Sequence, residues 1–273
     1  MVREDFRFYK PCALLRPYVR YYWVFSSRRS LSALTFPIGC PQLIFHRRTP
    51  LYIRELAARQ PRLAVSGQVN FPARLQAEGD TEMVVVVFRP CGLGAFLRLP
   101  VSALHNREVC GYDLDNRGLE ELAARVFGCA RVGACIGLIE EWLLAQLGDA
   151  PEAKGDLGRR RVATAVERLL AAPETPVTAL ASVACLGKKQ FERLFAEQVG
   201  ANPKEYARIA RFQKSLKCMQ SHPGGISQAQ LAYHCGYADQ SHFIREFRQF
   251  SGYTPGALLK VCAPYSDLFT DPS

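Results

Sequence analysis

Residues 226–260 read ISQAQLAYHCGYADQSHFIREFRQFSGYTPGALLK, the pattern of a short helix, a tight turn and a second, basic helix. Ala229, Leu231 and Ala232 supply the small and apolar positions of the first helix. Gly236 breaks it, because glycine takes a positive φ without steric cost. Phe243, Phe247 and Phe250 then recur at helical spacing and face a core, leaving Gln240, Ser241, Arg245 and Arg248 on the opposite face. Thr254 and Pro255 fit a further helix start, Thr as cap and Pro in the first turn, where its missing N–H costs nothing. A helix-turn-helix needs a short turn and exposed polar side chains near the start of its second helix, which enters the major groove. A two-helix piece of an ordinary α-helical core would share the apolar spacing, so the pattern gains weight only from a second copy.

That copy lies upstream. Residues 177–195, VTALASVACLGKKQFERLF, place Thr178 as a cap, Leu180 and Ala181 in a first helix, and Phe191, Leu194 and Phe195 inward in a second, with Lys188, Lys189, Gln190 and Arg193 outward. Leu180-Ala181 matches Leu231-Ala232, Phe191 matches Phe243, Arg193 matches Arg245, Phe195 matches Phe247, Gly200 matches Gly252 and Pro203 matches Pro255, at offsets of 51 or 52 residues. Two copies of one unit make an accidental core far less plausible. Residues 203–220, with Tyr206, Ile209, Ala210, Phe212, Gln213 and Leu216 for packing, predict one rigid connecting helix, and residues 159–172 an amphipathic helix with Val162, Ala165, Val166, Leu169 and Leu170 inward.

Residues 159–260 resemble the DNA-binding domain of the AraC/XylS family of bacterial transcription regulators. The carrying motifs are Phe191-Glu192-Arg193-Leu194-Phe195 with Gly200, Pro203-Lys204-Glu205-Tyr206, Leu231-Ala232, Cys235-Gly236-Tyr237, Asp239-Gln240-Ser241-His242-Phe243, Arg245-Glu246-Phe247 and Gly252-Tyr253-Thr254-Pro255. The resemblance implies a monomeric domain of two helix-turn-helix units joined by a linker helix, fused to an amino-terminal sensing or dimerising domain. It also implies duplex DNA as partner, RNA polymerase if the protein activates, a cytoplasmic, nucleoid-associated location and no enzymatic activity. The chain departs from the family at Cys185 and Gly187, where Gly and Ser are common, and at Ala238, where a Ser or Asn cap is common unless Asp239 takes that role.

Charge agrees with the resemblance. Of the formal net +10, residues 159–260 hold 15 Lys and Arg against 7 Asp and Glu, whereas the remainder is near balance with 20 against 18. A basic segment of this length suits a polyanion, although a basic solvated surface is common in itself. Gln190 and Gln240 suit bidentate contact with adenine, while Lys188, Lys189, Arg193 and Arg245 reach guanine or phosphate. Arg193 and Arg245 could equally serve structural ion pairs. Asp239, Ser241 and His242 complete the expected interface, His242 as a packing or phosphate contact rather than a metal ligand.

Residues 1–100 are dense in aromatic and β-branched runs at 18–25, 42–45, 62–65 and 83–88, punctuated by Gly and Pro, and predict a small antiparallel sandwich or barrel. Two helices follow at 118–127 and 132–147, to pack on the barrel or on a second subunit. The stretches FPIGCPQLIFH (36–46) and VVVVFRPCGLGAFL (84–97) bear a weaker likeness to the β-rich domain of some such regulators. The fold class is therefore α+β in two domains: 1–150 β-rich, 151–158 a Gly/Pro-rich linker, 159–263 all-α and 264–273 a tail. Tyr21, Trp23, Phe45 and Phe88 are candidates to line a pocket for a small-molecule effector, unless they fill a core; a homodimer is the further partner this domain allows.

Other chemistries find little footing. No apolar run approaches the roughly 18 residues of a membrane span, and MVREDFRFYK lacks a signal peptide's apolar core. His46 and His105 fall short of a clustered metal site, and Cys91-Gly92-Leu93-Gly94 lacks the lysine of a phosphate loop, so no metal or cofactor is expected. The ten cysteines contain no C-x-x-C pair and read as buried thiols; a thiol- or redox-responsive regulator using amino-terminal cysteines is the alternative reading.

Overall fold

The computed structural model describes residues 5–148, 154–222 and 226–261. Among the described residues ten strands come first: β1 (Asp5–Tyr9), β2 (Val19–Ser27), β3 (Leu31–Thr35), β4 (Gln42–His46), β5 (Tyr52–Ile53), β6 (Ala58–Arg59), β7 (Leu63–Ser66), β8 (Ala73–Ala77), β9 (Thr81–Phe88) and β10 (Glu108–Cys110). They form two antiparallel sheets, β1-β2-β9-β4-β7-β10 and β3-β8-β5-β6, so the amino-terminal domain is sandwich-like rather than a closed barrel. α1 (Arg117–Gly128) and α2 (Val132–Gly148) pack on the outer face of the larger sheet.

The period-2 geometry of a strand explains why β9 is apolar without interruption from Met83 to Phe88. Val84, Val86 and Phe88 meet Leu119, Leu122, Val126, Ile139 and Leu143 of the two helices, whereas Met83, Val85 and Val87 face the space between the sheets. The same alternation splits β2, with Tyr22 and Val24 toward the helices and Tyr21, Trp23 and Phe25 toward the inter-sheet space.

On that inner side the His46 ring is fully buried and lies 3.0 Å from Gln60 Oε1, while Gln60 Nε2 donates to Glu108 Oε1 at 2.8 Å. Burial pushes the imidazole down to about 4, against the Gln60 bond that favours its charged form. A depressed folded value means that His46 contributes full stability above about pH 6.5 and withdraws it as pH falls from 6.5 toward 4, by up to about 3 kcal/mol. Glu108, raised by burial, acts in the opposite sense, losing its contribution as pH rises through its raised value. His46→Gln should therefore flatten the fall in urea-unfolding stability between pH 6.5 and 4.5 relative to the unaltered chain; an unchanged slope would remove His46 as its source.

Seven further helices follow among the described residues: α3 (Lys154–Ala171), α4 (Val177–Val183), α5 (Lys188–Val199), α6 (Pro203–Ser221), α7 (Gln228–His234), α8 (Gln240–Ser251) and α9 (Pro255–Val261). α3 begins inside the stretch read as linker, taking residues 154–158 into helix. Leu170, read as inward, is 48% exposed. Thr178 lies within α4 and does not cap it, since Pro176 holds that position. The tail at 264–273 lies outside the described residues. α6 serves both halves: Tyr206, Ala207 and Ala210 join the first apolar core with Phe191 and Phe195, and Ile209, Phe212, Leu216 and Met219 join the second with Phe243, Phe247 and Phe250. Among the described residues no helix is long and apolar enough to cross a membrane.

Candidate nucleic-acid interface and effector pocket

The two helix-turn-helix units share one turn design. After α4, Leu186 N–H donates to Ala181 O at 3.0 Å; after α7, Tyr237 N–H donates to Ala232 O at the same distance. Each pattern closes a Schellman-type turn around a left-handed residue, Gly236 at φ +75° in the second unit and Cys185 at φ +53° in the first. Cys185 carries a Cβ where the backbone favours none, at a cost of about 1 to 2 kcal/mol. Cys185→Gly should raise the urea midpoint by an amount worth about 0.5 to 1 kcal/mol, the relief being partly offset by greater unfolded-chain freedom. A lowered midpoint would contradict strain at this turn.

These turns present the starts of α5 and α8. Lys188, Lys189 and Gln190 are exposed on the first turn of α5, and no side chain caps that helix at Gly187. Gln240, Ser241 and Arg245 are exposed on α8, with Arg248 one turn further. Asp239 plays a structural part, because its Oδ1 accepts from His242 N at 2.7 Å and caps α8, so Ala238 leaves no cap missing. Gln240 Nε2 lies 3.3 Å from Gln228 Oε1, a contact that links α8 to α7. Arg193 pairs with Glu197 at 2.8 Å across one helical turn, both of them solvent-accessible. Arg245 has no such pair among the described residues. His242 packs edge-on against Tyr237 and lies 3.7 Å from Glu246.

Sequence reasoning missed the ion cluster that fixes α8. Glu246 is 4% exposed and accepts from Arg208 Nε at 2.7 Å, with Arg211 Nη2 at 3.4 Å. Both arginines belong to α6 and also cover rings, Arg208 that of Phe250 and Arg211 that of Tyr237. Also missed was Tyr233 on α7, 84% exposed, whose only signal is an aromatic residue outside the Leu231–Ala232 stripe.

A second candidate site lies between the sheets, a cavity of about 110 Å³ lined by Tyr21, Trp23, Phe8, Phe36, Gln68 and Glu108 among others. Phe45 and Phe88 do not reach it. Both lie on the opposite strand face, in the core under α1 and α2, because Ile44 and Val87 take the inward positions beside them. Residues 36–40 form one wall of the cavity and touch α6 from behind: Pro37 O accepts from Gln213 Nε2 at 2.6 Å, Gly39 O accepts from Tyr206 Oη at 3.1 Å, and Phe36 meets Phe212 edge-on. Asn70 Nδ2 adds a bond to Glu205 Oε1, and Gly200, at φ +89°, admits Val101 so closely that a Cβ would stand 3.0 Å from its Cγ1.

Two family profiles match the chain, a helix-turn-helix domain over residues 180–260 and a domain of unknown function (DUF6597) over residues 7–110. Residues 180–260 are a helix-turn-helix domain of the AraC type. Relatives of this AraC-type domain include the probable transcriptional regulator LumQ of Photobacterium leiognathi, 34% identical over 79 residues that make up 29% of this chain and 31% of LumQ. The HTH-type transcriptional regulator GlxA of Rhizobium meliloti is 30% identical over 95 residues, 34% of this chain and 29% of GlxA. YidL of Escherichia coli, an uncharacterized HTH-type transcriptional regulator, is 28% identical over 45% of this chain and 40% of its own. The match thus spans less than half the length of these curated relatives. Among solved structures, ToxT from Vibrio cholerae O395 aligns with a TM-score of 0.44 and 12% identity, over 88% of this chain and 97% of that one.

Proposed function

We propose that the chain is a sequence-specific DNA-binding transcription regulator, in which residues 159–263 read duplex DNA and residues 1–150 sense a small effector. The observation that carries this reading is the pair of like-built turns, each leading into an exposed helix start set on one shared linker helix. Lys188, Lys189 and Gln190 on α5, and Gln240, Ser241 and Arg245 on α8, are the base and phosphate contacts in this reading, with Tyr233 as an added phosphate contact. Arg193 is shared between DNA and Glu197, and Asp239 acts through its cap.

The wall at residues 36–40 supports sensing by the inter-sheet cavity, because a ligand pressing on it displaces the carbonyls that hold Tyr206 and Gln213 of α6. RNA polymerase and a second copy of the chain remain partners of the proposal, resting on the regulator class alone. The thiol-responsive alternative loses two of its candidates, because burial raises Cys91 to about 12 and Cys135 to about 11 and keeps both as unreactive thiols, which leaves the half-buried Cys12, Cys110 and Cys129 to carry it.

Titration of the full chain with duplex DNA over a salt series tests the reading. Counterion release predicts that log affinity falls with log salt at a slope of about −0.9 per neutralised phosphate. Lys188→Ala and Lys189→Ala should each make the slope shallower by about one contact. A flat salt response, or no binding at low salt, would refute DNA as the partner.

A further inference from the structure

We propose that the cavity between the two sheets takes a small organic cation, an amine about one ring in size, with Glu108 as counter-charge and Tyr21, Trp23, Phe8 and Phe36 as walls. This rests on the reading of the cavity as an effector site and supplies the ligand's chemical class.

Charge sorts the candidates first. Among the described residues no Lys, Arg or His lines the cavity, and its one carboxyl group belongs to Glu108. The nearest imidazole, His46, touches Glu108 only through Gln60 and is held neutral by burial, so it supplies no positive charge. An anion entering here would meet a carboxyl group and no lining cation, so an uncharged donor such as Gln68 Nε2 would have to offset both its lost hydration and the repulsion from Glu108. A cation meets a carboxylate whose protein partners are the neutral Gln60 and Ser66. Burial raises the Glu108 carboxyl, as expected of an acid lacking a counter-charge.

The remaining lining agrees. Aromatic faces attract a desolvated ammonium group through their quadrupoles, and four aromatic side chains border this space. Gln68 is 1% exposed, yet neither its Oε1 nor its Nε2 has a partner among the described residues. A buried amide left unbonded is costly, and an ammonium N–H satisfies its oxygen. Strand register places Ser66 opposite Glu108, so the polar residues gather at the β7–β10 end while Ile44, Ile53, Leu75 and Val85 keep the rest apolar. A volume of about 110 Å³, below the roughly 150 Å³ of a cavity that holds benzene, limits the ligand to about one ring.

The test compares benzylamine, benzyl alcohol and benzoate, which share a ring and differ in charge, by calorimetry on the full chain without DNA. Benzylamine should bind about 10-fold or more tightly than benzyl alcohol, and benzoate should not bind detectably. Glu108→Gln should remove that preference by weakening benzylamine about 10-fold while leaving benzyl alcohol within about 3-fold, the latter also showing that the cavity still forms. If the variant fails to fold, the charge series on the unaltered chain decides alone. Equal binding of alcohol and amine, or amine affinity unchanged in Glu108→Gln, would overturn the cationic class while keeping the cavity as an effector site. Benzoate binding as tightly as benzylamine would do the same. Binding of none of the three at millimolar concentration would overturn the site itself, and DNA affinity measured separately on the same sample shows whether the regulator reading survives.

Discussion

Glu246→Ala should destabilise the carboxy-terminal domain by about 2 to 3 kcal/mol and loosen α8 from the linker helix. Removing one partner of a fully buried ion pair commonly costs about 3 to 5 kcal/mol, because the other charge is left unpaired in a poor solvent. Here Arg208 keeps about a third of its side chain in water, so part of that cost is relieved, whereas Arg211 at 15% exposure is not so relieved. Glu246→Gln keeps the shape and one acceptor and should fall between the two. Urea denaturation measures the stability, and a loss below about 1 kcal/mol for the alanine variant would show that ring packing of Phe243, Phe247 and Phe250 fixes α8 without the ion cluster. Because α6 also packs on the first unit, base preference contributed by α5 should persist in the variant when that contributed by α8 weakens.

Gln240→Ala should relax base preference in one short block of the binding site, by about 1 to 3 kcal/mol, and leave the other block untouched. The side chain is exposed at the first position of α8 and needs only to give up its 3.3 Å contact with Gln228 to reach a base. Lys189→Ala, at the start of α5, should alter the other block or weaken binding at all sequences alike. The geometry behind this is the linker: α6 has 19 residues and is about 28 Å long at 1.5 Å per residue. Successive major grooves lie about 34 Å apart, so the domain leans along the duplex or the duplex bends toward it. If Gln240→Ala and Lys189→Ala change the same base pairs, the two helices do not occupy separate grooves.

The paired helix-turn-helix units were legible in the sequence because their signals are local. A helix stripe repeats within a few residues, and Gly200, Gly236 and Gly252 stand where the backbone turns left-handed. Strands β2, β4, β7 and β9 were legible for the same reason, whereas β1, β3, β5, β6, β8 and β10, shorter or more polar, were not, and the faces of the legible ones stayed undetermined. Alternation separates Tyr21 from Tyr22 and Phe45 from Ile44, yet nothing local tells which face meets helices and which meets the second sheet. Hence Tyr21 and Trp23 line the cavity, while Phe45 and Phe88, equally aromatic, pack beneath α1 and α2. Contacts distant in sequence stayed hidden altogether. Glu246 reads as one more surface acid on a basic helix until Arg208 and Arg211 are brought to it across 38 and 35 residues. The wall at residues 36–40 reads as a Pro-Gly turn, and only the fold reveals that its carbonyls hold a helix some 170 residues onward.

Selection of binding sites by the full chain from random duplex DNA tests the central claim most directly. The account predicts two short conserved blocks about 10 base pairs apart for each protein copy. The unit should have no palindrome within it, because α5 and α8 present different side chains. Recovery of a single compact block, or of DNA with no shared sequence, would contradict it.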